Sequence, residues 1–168
     1  MIYPENFEIK IGFDKIRQLL ATKCLSPLGE EKVEEMTLSS NYSDIIEILS
    51  QTDEFKRIIQ EEADFPTNYF IDVRSSLRNI RIEGTWIDES ALFDLRRSLQ
   101  TIRDIVTFLK REDEENTPYP HLYKLAGDII IFPQLLSKID NILDKFGKIK
   151  DNASPELSRI RKDIAYIS

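Results

Sequence analysis

Apolar residues recur three and four positions apart through most of this chain, and that spacing admits one kind of secondary structure. Leu92, Leu95, Leu99, Ile102, Val106 and Leu109 make the longest run, the stripe of an amphipathic helix. Asp88 stands before it as an N-cap. Phe13, Ile16, Leu19, Leu20 and Cys24 mark an earlier apolar face, with Cys24 expected in the core. Ser26-Pro27 offers the N-cap and N1 residues of a short second helix. Ser43 is the expected cap of a third, which carries Ile45, Ile46, Leu49, Phe55, Ile58 and Ile59. Asp72 is expected to begin a shorter helix through Val73, Leu77 and Ile80, and "EGTW" to turn the chain with Trp86 packed. Two more helices are expected at His121–Gly127 and Pro133–Phe146. The fold class that follows is all-α, an irregular multi-helix bundle, with room for one small hairpin near residues 146–153 around Gly147 and Asn152.

The clearest helix start comes near the end. Ser154-Pro155-Glu156 places a capping hydroxyl, an N1 proline and an acid in the first turn. Leu157, Ile160, Ile164 and Ile167 then follow at spacings of 3, 4 and 3, a coiled-coil seam. No Gly, Asn or Pro stops this helix before Ser168. Either it frays at a natural terminus or the chain is cut inside a longer one. Leu157, Ile160 and Ile164 are expected to bury against the preceding helices, and Arg161 to find an acidic partner in the core. The division expected is a helical core over 1–153 and the beginning of a long helix over 154–168.

The chain carries a net charge of −7 over 168 residues, which opposes nucleic-acid binding by the surface as a whole. The charge is uneven. Residues 145–168 hold Lys145, Lys148, Lys150, Arg159, Arg161 and Lys162 against Asp151, Glu156 and Asp163, a balance of +3. That leaves 17 of the 23 Lys/Arg and 27 of the 30 Asp/Glu to residues 1–144, a balance of −10. Lys148, Lys150, Arg159 and Lys162 are the candidate nucleic-acid contacts, against the plainer reading of a solvated helix face. One cysteine suits a reducing compartment, and neither a leader nor an apolar span is apparent, so a cytoplasmic address without a membrane is expected.

Catalytic chemistry finds little material. Cys24 and His121 are the only residues of their types, too few for a Cys/His zinc site. Glu112, Asp113, Glu114 and Glu115 crowd one loop, where a solvated turn is the simpler reading than a metal cluster. Gly147-Lys148 is followed by Ile149, where a phosphate-binding loop needs Ser or Thr. The expectation for this chain is no catalytic, metal or cofactor residue.

"IKDNASPELSRIRKDI" resembles a signature of the second bacterial lineage of MutS-family proteins, the paralogue with a C-terminal Smr nuclease domain. Asp151, Ala153, Ser154, Pro155, Glu156, Leu157, Ile160 and Arg161 carry the match. "FDKIRQLLATKCLSPLG" is similar to that family's opening segment through Phe13, Asp14, Ile16, Leu19, Leu20, Ser26, Leu28 and Gly29. "DVRSSLRNIRIEGTWI" resembles the next through Asp72, Arg74, Leu77, Gly84 and Ile87. Trp86 and the "DEENTPYP" loop depart from it, both in connections. None of the nine Phe has Glu two positions later, so the mismatch-reading Phe-x-Glu of the repair-type lineage is missing. The resemblance implies that residues 154–168 begin a lever helix and that residues 151–161 form a junction. It also implies a longer, homodimeric parent, an ATPase using ATP and Mg with a nuclease domain. Lever, clamp and ATPase domains would be this chain's partners there. Branched or structured DNA would be the parent's ligand, and the ribosome a further one.

Overall fold

A computed structural model describes residues 6–167; the expectations that reach into residues 1–5 or to Ser168 lie outside the described residues. Nine helices occur among them: α1 (Phe7–Lys10), α2 (Phe13–Ala21), α3 (Pro27–Glu34), α4 (Tyr42–Glu61), α5 (Arg74–Asn79), α6 (Glu89–Leu109), α7 (Pro120–Leu125), α8 (Pro133–Ile142) and α9 (Pro155–Ile167). The chain is all-α, as the spacing of its apolar residues requires. It forms two compact units that divide between Ile45 and Ile46, near the start of α4. Residues 154–167 lie in the second unit.

In the first unit, Arg17 on α2 organises its surroundings. Its guanidinium stacks on Phe13 at 5.1 Å, pairs with Glu8 at 3.0 Å and donates to the Met36 carbonyl at 2.8 Å. Cys24 is not on the helix face expected for it. α2 ends at Ala21, and Cys24 lies half-buried in the turn beyond, its Sγ directed at the Leu20 carbonyl. The close neighbour of Cys24 is Gly29, where a Cβ would sit 3.2 Å from that of the cysteine. Ser26 occupies the N-cap position of α3 in extended backbone, although its hydroxyl makes no capping bond.

The cap of α4 corrects the sequence reading by two residues. Asn41 Oδ1, not Ser43, accepts an N–H of the first turn, that of Ser43 at 3.0 Å. α5 begins at Arg74, and Asp72 serves it from outside by accepting the Arg74 N–H at 3.0 Å and its guanidinium at 2.9 Å. Asp88 caps α6 as expected, accepting from the Ala91 N–H at 2.8 Å.

α6 runs the length of the second unit's core and serves two apolar clusters. Near its C-terminus, Phe108 and Leu109 join Ile58, Phe65, Tyr119, Leu122 and Ala126. The rings meet edge-on, Phe65 with Phe55 at 5.5 Å and with Phe108 at 5.1 Å, which is the geometry their quadrupoles favour. Near its N-terminus, Leu95 packs with Ile139 of α8 and with Leu143. Trp86 contributes to neither. It is 82% exposed, correcting the expectation that it packs. The cause is the turn before it: Gly84 takes φ +80°, the Thr85 N–H bonds to the Ile82 carbonyl, and the Thr85 hydroxyl lies 2.7 Å from the Asn79 carbonyl. This tight loop closes on Thr85 and leaves the next side chain outside.

Candidate functional site: a capped junction helix on a hairpin

α8 stops at Ile142, four residues short of the expected end, because Leu143 turns into extended backbone. Leu143 pairs with Ile149 in one antiparallel bridge, framed by Asp144 N–H to Lys148 O and Lys150 N–H to Ile142 O, both 2.8 Å. The small hairpin thus lies over 143–149, earlier than the 146–153 expected. Asp144 Oδ1 accepts the N–H groups of both Phe146 and Lys148 at 2.8 Å, which ties the loop inside the hairpin. Those bonds, the one from Lys148 foremost, hold the Asp144 carboxyl below its ordinary value. Glu89, the first residue of α6, accepts the Ile149 N–H at 2.7 Å, and that bond depresses its carboxyl in the same way. Lys148 Nζ joins Glu89 at 3.3 Å. The N–H groups around Gly147-Lys148 therefore all have protein acceptors, and carboxyl groups line the turn. It is closed to a phosphate.

Gly147 is the hinge of this loop at φ +80°. A Cβ there would lie 2.6 Å from the Phe93 ring, which itself packs in the α6–α8 cluster. Gly147→Ala therefore meets both a left-handed backbone and a blocked space, and should destabilise the second unit by ~1–3 kcal/mol. Chemical denaturation followed by circular dichroism measures it; a change below ~0.5 kcal/mol would mean that the ring moves freely.

The chain leaves the hairpin through Lys150–Ala153, closed by Ala153 N–H to Lys150 O at 3.0 Å, and enters α9. Ser154 Oγ accepts the Leu157 N–H at 3.1 Å, with Pro155 at N1 and Glu156 at N2, so the helix start is the one its sequence describes. Ser154→Ala should cost about 1 kcal/mol of helix stability. α9 buries no residue outright, so the loss should appear as faster amide exchange at Leu157 and Ser158. Arg161, one turn further on, reaches back to the Ile149 carbonyl at 3.3 Å and pairs with Asp151. Asp151 belongs to the exposed turn, not to the core. Asp151, Ser154, Leu157 and Arg161 are thus tied together by hydrogen bonds and one ion pair.

Burial along the seam corrects the sequence reading. Leu157 is half-buried, but Ile160 is 44% and Ile164 59% exposed, with Ile167 at 84%. Exposure rises along the helix from its anchored base, because only its first turns adjoin the hairpin. The candidate nucleic-acid contacts do not converge. Lys148 is held by Glu89 and Lys150 by the Asp140 carbonyl, while Arg159 and Lys162 stand exposed on α9 without an ion-pair partner among the described residues.

A polar arrangement that sequence reasoning missed joins α4 to α7. Glu54 is 6% exposed, and its two carboxyl oxygens accept the N–H groups of His121 at 3.1 Å and Leu122 at 2.9 Å. α7 has no side-chain cap of its own from Tyr119, so a residue 67 positions upstream supplies it. Two turns earlier on α4, Glu47 Oε2 lies 2.9 Å from His121 Nδ1, a contact that lowers the Glu47 carboxyl's pKa. A groove of about 460 Å³ runs past these groups, lined by Ile46, Leu49, Arg57, Pro118, Pro120 and His121. At the far side of the cluster, Glu62 accepts from Arg111 and from the Tyr119 hydroxyl at 2.9 Å. The Arg111 bond holds Glu62 down, while burial pushes Tyr119 up. No local signal announces these pairings.

These carboxyl groups set a pH dependence with one sign. Glu47, Glu62, Glu89 and Asp144 lie below their ordinary values, and Asp72, held by the Arg74 guanidinium, is pushed down to about 2. The unfolded chain binds more protons through this range, so stability is full above the ordinary carboxyl values and declines as pH falls. The thermal midpoint should drop steadily from about pH 4.5 toward about pH 2. A flat profile over that window would show that these pairs do not contribute.

No group of three or more His, Cys, Asp or Glu placed to hold a metal occurs among the described residues, where Glu112–Glu115 form an exposed turn. No described helix is long and apolar enough to cross a membrane. What the geometry builds is a helix whose base is capped by Ser154 and tied to the hairpin through Arg161.

No protein-family model matches the chain. Curated relatives do. It is 33% identical over 155 residues to Endonuclease MutS2 of Alkaliphilus oremlandii, 29% over 154 to that of a Geobacillus species, and 26% over 154 to that of Bacillus cereus. Each alignment covers 92% of this chain but only 19–20% of the relative, so the chain spans about a fifth of the length of the curated relatives it matches. On that match, which takes in 92% of its length, the chain is a segment of a MutS2-like protein.

Proposed function

We propose that this chain is the N-terminal structural core of a MutS-type DNA-binding ATPase, and that it couples a downstream ATPase to DNA-clamping arms. The carrying observation is the junction: α9 is capped by Ser154, tied to the hairpin through Arg161, and increasingly exposed toward Ile167. A helix fixed at its base converts small rotations of the core into displacements of whatever continues from it. About 20 residues of helix already span 30 Å. The parent would be a cytoplasmic homodimer acting on branched or structured DNA in recombination control, with ribosome rescue a further role. ATP, Mg and nuclease chemistry would belong to other parts of that parent, since the Gly147-Lys148 turn does not fit a phosphate.

Three measurements test this reading. The purified chain should hydrolyse neither ATP nor DNA, and should bind branched DNA more weakly than micromolar near physiological salt. The reading frame downstream should encode a phosphate-binding loop of the G-x-x-x-x-G-K-[ST] type. Micromolar binding lost on charge reversal of Arg159 and Lys162 would favour a direct nucleic-acid module instead, and their exposed, unpaired placement is the observation that supports that second reading.

A further inference from the structure

Arg97, half-buried on α6, is held in an unusual way. Its guanidinium lies 4.1 Å from the Phe93 ring centroid and 4.7 Å from that of Tyr69. Its neighbours on α6 have carboxylates, Arg96 that of Asp140 and Arg103 that of Asp104. None of the described residues accepts a hydrogen bond from Arg97. Two aromatic contacts thus position a cation whose in-plane donors are left to solvent.

Both rings are held from behind. Phe93 rests against Gly147, where no side chain could be added without contact at 2.6 Å. Tyr69 sits at φ +63°, a left-handed conformation that is a genuine outlier for a bulky residue. Buried Thr101 fixes that turn by donating to the Asn68 carbonyl at 3.0 Å, and Ile71 N–H closes it on the Tyr69 carbonyl at 2.9 Å. Yet Tyr69 remains 54% exposed, so the strained backbone presents an aromatic ring that the core does not use.

We propose that Arg97 and Tyr69 form a contact for single-stranded nucleic acid, with a phosphodiester oxygen at the guanidinium edge and a base on the exposed Tyr69 ring. A positioned guanidinium suits any planar or tetrahedral oxyanion. The adjoining exposed ring selects among them, because a base stacks on it and a carboxylate cannot. This inference rests on the nucleic-acid reading above and adds to it a location on α6, away from the junction. The net charge of −7 makes the contact weak alone and strongly salt-dependent.

The test follows the Nε–H resonance of Arg97 in the whole chain at low salt, titrated with octathymidylate, inorganic phosphate and an oligoglutamate peptide. Octathymidylate should shift it saturably, and inorganic phosphate more weakly. Arg97→Lys, followed through neighbouring backbone amides, should weaken octathymidylate by about tenfold, since an ammonium keeps the charge but loses the planar fork. Tyr69→Leu should weaken octathymidylate while leaving the phosphate response in place; unchanged thermal unfolding confirms that the variants fold. If Tyr69→Leu fails to fold, Arg97→Gln, which removes the charge from a half-buried side chain that makes no ion pair among the described residues, carries the test. No shift with octathymidylate at millimolar concentration, or an equal shift with oligoglutamate, overturns the proposal. Neither result bears on a phosphate-binding loop downstream, so the reading of the parent stands or falls separately.

Discussion

Glu54→Ala is expected to destabilise the second unit by roughly 2–4 kcal/mol, because it strands the buried Leu122 N–H and the half-buried His121 N–H at once. The His121 and Leu122 amides lie at the start of a six-residue helix with no cap of its own. The position is only 6% exposed, and no other described side chain accepts these two N–H groups. Glu54→Gln retains one accepting oxygen and should fall between the two. Urea denaturation of the three proteins gives the comparison. If alanine costs no more than ~0.5 kcal/mol, α7 is held by its apolar face alone.

Ile58 and Ile59 provide a contrast within one helix turn. Ile58 is 0% exposed inside the ring cluster, and Ile59, its neighbour, is 53% exposed. Ile58→Ala should cost about 3–4 kcal/mol, the transfer of the lost carbons plus the cavity that Phe65, Phe108 and Tyr119 cannot close. Ile59→Ala should stay within about 1 kcal/mol. A domain of ordinary stability has only ~5–15 kcal/mol to lose, so the first variant should be partly unfolded well below the wild-type midpoint. Equal effects at the two sites would contradict the placement of this core.

Features that act over one helical turn were legible in the amino-acid order. Asp88 and Ser154 cap their helices by reaching three residues ahead, and both contacts form as the residue types indicate. The all-α class follows from spacing in the same way. What escaped has the opposite character. Glu54 and Glu89 cap or brace elements 67 and 60 residues away, and nothing local distinguishes them from other helix-surface acids. Ile160 and Ile164 show the other limit: periodicity says which residues share a face, not whether anything lies against it. Ser43 and Asn41 are both good caps two positions apart, and there the backbone, not composition, decides. Resemblance singled out residues 151–161, and within them the structure forms the Ser154 cap and the Arg161–Asp151 pair.

Trp86, the one tryptophan of the chain, has an optical consequence. An indole standing 82% in water while the protein is folded should emit near the wavelength of the denatured chain. Intrinsic fluorescence is then a poor gauge of unfolding here, and helix dichroism or tyrosine absorbance must serve. The same placement makes the indole a sensitive gauge of something else. Any molecule that settles over the turn before α6 must dehydrate it and shift its emission to the blue, so the protein carries a single-site dye for docking at that end, with no label added.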